Sequence, residues 1–133
     1  IVVSSVKPSK ELPFKMKFAR STGAHKLLPT GLVNNVELLA KYAFGEHLKK
    51  RLNLYQRYLS IKDKDYMNWS IHQMVNWSQD EPLADVVHIH GDKDNVFPIK
   101  KIKDCKVVHK GHHDMIVRRA RWFNEHLPEI ILS

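Results

Sequence analysis

Three short apolar stretches constrain this chain more than anything else in it: residues 1–6 (IVVSSV), 86–90 (VVHIH) and 106–109 (KVVH). All three contain adjacent valines, and none alternates cleanly between apolar and polar residues. A strand with one wet face reads with period two. A nearly continuous apolar run belongs to a parallel strand covered on both faces. These runs are too short to be buried helices. Helical periodicity fills the chain between and after them, so the predicted fold class is α/β with parallel strands.

The helical signals vary in quality. A helix is predicted over 11–21, with Pro13 near its first turn, where a missing N–H costs little. Its apolar residues Leu12, Phe14, Met16 and Phe18 keep a poor period. Over 32–44, Leu32, Val36, Leu39, Ala43 and Phe44 fall near one face, and Gly45 can end the helix. Over 46–59, Leu48, Leu52, Tyr55 and Leu59 form one stripe. Asp63 or Asp65 can cap the next helix, which runs to about Ser78. Met67, Ile71, Met74 and Val75 make its apolar face; Trp69 and Trp77 lie off that line and are read as packing residues. A last helix is predicted over 115–127, with Ile116, Ala120, Phe123 and Leu127 on one side and Pro128 as its stop. The order is strand, four helices, strand, loop, strand, helix, with a helical insertion over 7–85.

Composition excludes several classes. With 133 residues the prior is one domain, and 43% apolar residues with only five Gly and six Pro exclude a collagen-like or disordered chain. No apolar run approaches the roughly 18–20 residues of a membrane span. The single Cys105 excludes an internal disulfide or a paired-cysteine metal site, and it fits a reducing, cytoplasmic compartment. The formal charge is +8, and residues 1–51 hold ten Lys/Arg against three acids. Those charges are read as solvated helix faces rather than a nucleic-acid footprint. The chain opens without Met inside an apolar run, and three parallel strands leave two unpaired edges. The expectation is a chain that starts mid-protein, with further strands upstream.

Titratable groups gather in the last third, in His88-Ile89-His90-Gly91-Asp92-Lys93-Asp94 and His109-Lys110-Gly111-His112-His113-Asp114. Both clusters follow predicted strands. Loops at the carboxyl edge of a parallel sheet converge on one crevice, so an Asp on one can reach an imidazole on the next. It would accept the Nδ1–H and stabilise the imidazolium as the other nitrogen takes a proton.

Here the chain resembles the α/β-hydrolase fold family. His90-Gly91-Asp92-Lys93-Asp94-Asn95-Val96-Phe97-Pro98 is similar to that family's penultimate-strand motif. Lys110-Gly111-His112-His113-Asp114-Met115-Ile116 is similar to its last-strand loop bearing the catalytic His. The resemblance implies the C-terminal half of such an enzyme: 1–6 as the core strand after the nucleophile helix, 7–85 as a helical cap, and 86–133 as the C-terminal core. It implies Asp94 as triad acid and His113 as general base. Asp92 is the poorer acid, because the family's carboxylate usually stands three residues after the Gly. His112 is the rival base, because many members place Gly directly before the His. The implied substrate is a small-molecule ester, with no cofactor and no metal.

The chain also departs from that pattern. It has no G-x-S-x-G elbow, and Ser4-Ser5 lacks flanking glycines. The family's first oxyanion donor, from a loop near its N-terminal strands, is missing as well. The segment 95–105 is barely long enough for a parallel crossover and holds at most a helical turn. The nucleophile is therefore expected upstream, and the chain alone is expected to be inactive. Two other readings compete. His88-x-His90-x-Asp92 resembles the opening of a metallo-β-lactamase-type motif suited to Zn²⁺, but Lys93 stands where a further ligand belongs. A non-catalytic basic interaction module is the third.

Overall fold

A computed structural model describes residues 1–31 and 63–132. The helices predicted over 32–44 and 46–59 lie outside the described residues. The chain divides into two compact units, one of Ile1–Lys17 with Trp77–Ser133 and one of Phe18–Asn76.

The first unit carries a three-stranded sheet in the order β1 (Val2–Val3), β2 (His88–Gly91), β3 (Lys106–Val108). Both pairings are parallel, with Val2 opposite His88, Val3 opposite Ile89, and Ile89, His90 and Gly91 opposite Lys106, Val107 and Val108. The mixed α/β arrangement with parallel strands follows from the apolar runs, although the strands are shorter than the runs themselves. The crossover from β2 to β3 contains one 3-10 turn, Ile99–Lys101.

β2 is buried along its whole length. Its alternating residues point to opposite faces. Ile89 joins Val108, Met115, Phe123 and Ile130 in one apolar cluster, and Leu12, Phe97 and Ile102 form a second. The second cluster explains why residues 7–17 belong with the sheet although they fall within the predicted insertion. Leu12 is 1% exposed, and the Glu11 carboxylate accepts the backbone N–H groups of Lys7 (2.8 Å) and Lys103 (3.0 Å). Trp77 is tied to the same region, donating its indole N–H to the Lys7 carbonyl at 2.8 Å.

The last helix differs from the sequence expectation. It breaks at Arg119 (φ −118°, ψ 29°) into α3 (Met115–Arg118) and α4 (Ala120–Leu132), and Pro128 lies inside α4 instead of ending it. An internal proline removes one hydrogen bond and costs about 3 kcal/mol. Continuing past it buries Ile130 in the cluster with Phe123 and Met115, which offsets part of that cost.

In the second unit, α1 (Phe14–Thr22), which begins in the first unit, ends at Gly23. Its φ of +70° is the left-handed conformation that glycine adopts without steric cost. α2 (Lys64–Val75) starts at Asp63, whose side chain accepts the Tyr66 N–H at 2.8 Å. His25 donates Nδ1–H to the Ala19 carbonyl (3.0 Å) and meets His72 across 3.3 Å. Trp69 is 57% exposed. No helix among the described residues is long and apolar enough to cross a membrane.

Candidate acid–base site

The loops that follow β2 and β3 are pressed together at the carboxyl edge of the sheet. Gly91 ends β2, and a Cβ placed there would overlap the Gly111 carbonyl oxygen. A Cβ on Gly111 would lie 2.9 Å from both Gly91 Cα and the Val108 oxygen. Neither residue has positive φ, so close backbone approach is what demands glycine at both places. The contact is sealed by Lys93 N–H to the Gly111 carbonyl (2.8 Å) and Asp92 N–H to the Val108 carbonyl (3.3 Å). Lys110 turns the second loop with φ +54°, a strained conformation for a residue with a side chain.

This frame brings Asp94 and His113 together. His113 donates Nδ1–H to Asp94 Oδ2 at 3.0 Å. The other carboxylate oxygen, Oδ1, accepts the backbone N–H groups of Val96 (2.8 Å) and Phe97 (2.9 Å). The His113 ring lies against Phe97, with centroids 5.5 Å apart. Burial alone would push the Asp94 carboxyl upward. The hydrogen bond from His113 and the N–H groups of Phe97 and Val96 outweigh it and hold the group below its ordinary value. Asp94 is therefore a buried, ionised carboxylate that fixes one tautomer of a partly exposed imidazole. With Nδ1 protonated, Nε2 is the proton acceptor, and no described residue hydrogen-bonds to it.

The other two candidates do not pair with each other. Asp92 Oδ2 instead accepts Nδ1–H of His109 at 2.9 Å, on a side chain 75% exposed. Asp92 Oδ1 is buried without a hydrogen-bond partner among the described residues. The His112 ring is half-buried and hydrogen-bonds to no described residue, while its backbone carbonyl accepts the Met115 N–H at 3.0 Å. The Asp92–His109 pair is absent from the sequence expectations. The equal separation within Asp92/Asp94 and within His109/His113 is not there to find: the spacings are two and four, so only folding reveals the double pairing.

His88 and His90 point to one face of β2, with ring centroids 5.2 Å apart and edge-to-face. Both are buried. Burial, then the neighbouring His90, holds the His88 imidazole below its ordinary value, so it packs as a neutral ring. Among the described residues no group of three or more His, Cys, Asp or Glu is placed to hold a metal ion. Compared with protein-family models, curated proteins and solved structures, the chain matches none.

Proposed function

We propose that this chain supplies the acid and the base of a serine hydrolase of the α/β-hydrolase type, acting on a small-molecule ester. The observation that carries the reading is the 3.0 Å bond from His113 Nδ1 to the buried, ionised Asp94. The chain order supports it further: the acid follows β2 and the base follows the adjacent parallel strand β3, as the family resemblance implies. A cytoplasmic setting belongs to the same proposal and rests on the lone thiol of Cys105.

In this mechanism a serine hydroxyl from outside residues 1–133 attacks the acyl carbonyl. His113 Nε2 takes the hydroxyl proton as the new C–O bond forms, then gives it to the departing alkoxide as the ester C–O bond breaks. Water repeats the sequence against the acyl-enzyme, returning the serine and releasing the acid. Asp94 stays ionised throughout, orients the ring and stabilises the imidazolium.

The test uses the full polypeptide that contains this chain, reacted with a fluorophosphonate probe and mapped by mass spectrometry. One serine should be labelled. Asp94→Asn and His113→Gln should each slow labelling by about 10³–10⁴-fold. Asp92→Asn and His112→Gln should change it little. Absence of a labelled serine, or labelling indifferent to Asp94 and His113, ends the proposal.

A further inference from the structure

A second imidazole lies behind Asp94, and the proton-handling scheme does not use it. His90 is 0% exposed, its Nε2 is 2.8 Å from the Phe97 carbonyl oxygen, and the same nitrogen is 3.6 Å from Asp94 Oδ2. A carbonyl oxygen only accepts, so Nε2 carries the proton. Nδ1 is buried with no hydrogen-bond partner among the described residues. An orphaned buried nitrogen is costly, and a leucine or phenylalanine would fill the same space without it. The Nε2–H must offset that cost by what it holds.

What it holds is the turn that presents Asp94. The Phe97 carbonyl belongs to the residue whose N–H, with that of Val96, grips Asp94 Oδ1. Oδ2 accepts the His113 N–H at 3.0 Å, and His90 Nε2 stands 3.6 Å from it, beyond hydrogen-bond reach. We propose that His90 is a positioning residue for the Asp94–His113 pair, anchoring the 94–97 turn to β2 through the Phe97 carbonyl. His90 acts through Asp94 and touches no reacting atom. Its catalytic consequence rests on the hydrolase reading, but the positioning itself does not.

The experiment is NMR on the full chain and needs no turnover. In the unsubstituted protein, ring ¹⁵N shifts should show His90 with Nε2 protonated and His113 with Nδ1–H in a downfield, hydrogen-bonded resonance. His90→Phe keeps an aromatic ring, somewhat larger, and removes the donor. It should abolish the downfield His113 resonance and raise the Asp94 carboxyl midpoint by about 1 unit. His90→Gln restores an N–H near the Nε2 position and should retain both signatures. Four results overturn the proposal: a His90 ring without a proton on Nε2, a His90→Phe variant with both signatures intact, a His90→Gln variant that loses them as His90→Phe does, or, where His90→Phe does not fold, a His90→Gln variant without them. Since none of these reads ester cleavage, a failure here is distinguishable from failed serine labelling.

Discussion

The rim of the sheet carries two Asp–His pairs built from the same two loops, and they differ in everything but distance. Asp94–His113 spans 3.0 Å and Asp92–His109 spans 2.9 Å. The Asp94 side chain is fully buried, and both of its oxygens are hydrogen-bonded. Asp92 is partly exposed, one of its oxygens has no partner among the described residues, and its histidine is 75% in solvent. A short separation therefore does not make the two pairs alike. Backbone donors that fix the carboxylate, and a ring half-shielded by Phe97, set Asp94–His113 apart. An exposed pair screened by water contributes little, whereas a buried one is held or lost as a unit.

The largest expected effect erases the comparison altogether. Gly91→Ala would drive a methyl group into the Gly111 backbone, which has no side-chain freedom to yield. Both pairs should be disrupted together, at a cost of about 3 kcal/mol or more in urea unfolding. A loss below about 1 kcal/mol would mean that the two loops are not in contact.

The next test separates the pairs. In Asp94→Asn the amide can still accept from Val96 and Phe97, but its NH₂ then faces the Nδ1–H of His113, donor against donor. The ring must change tautomer or move. We expect a stability loss of about 2 kcal/mol, against less than about 0.5 kcal/mol for Asp92→Asn. Equal losses would remove the distinction drawn between the pairs.

Acid titration sharpens the same contrast. The unfolded chain protonates an ordinary His near 6.5, while buried His88 resists protonation. Below pH 6.5 the unfolded state thus binds more protons, and stability falls as pH falls. Asp94 adds a second step. Its stabilisation is complete above the ordinary value of 3.8 and is lost as pH drops through its lower value in the fold. Urea midpoints measured against pH should show both steps. His88→Leu should remove only the first and Asp94→Asn only the second.

The smallest effect is expected at His109→Ala, within about 0.5 kcal/mol by the same measurement.

Much of this was legible in the chain itself. The adjacent valines around β2 and β3 pointed to parallel strands, and both pairings are parallel; cover on both faces holds for β2, whereas Lys106 and Val107 of β3 are exposed. A helix cap at Asp63 or Asp65 was readable because capping is local, and the structure places it at Asp63. Pro128 misled for the opposite reason: its local cost is real, but Ile130 is buried with residues from both β2 and β3, which no local rule can weigh. The break at Arg119 has the same character. Residues 7–17 likewise read as part of an insertion, since the contacts of Leu12 and Glu11 with Phe97, Ile102 and Lys103 span some ninety positions.

The sequence by itself determined which groups reach the rim: two glycines, three aspartates and three histidines at or just beyond the ends of adjacent strands. Only the tertiary structure decided who pairs with whom. Strand register sets Gly91 against Val108, the left-handed turn at Lys110 redirects the chain, and Val96 and Phe97 aim their N–H groups at one carboxylate alone. Side-chain direction depends on backbone dihedrals and on neighbours distant in the chain, and residue spacing carries neither.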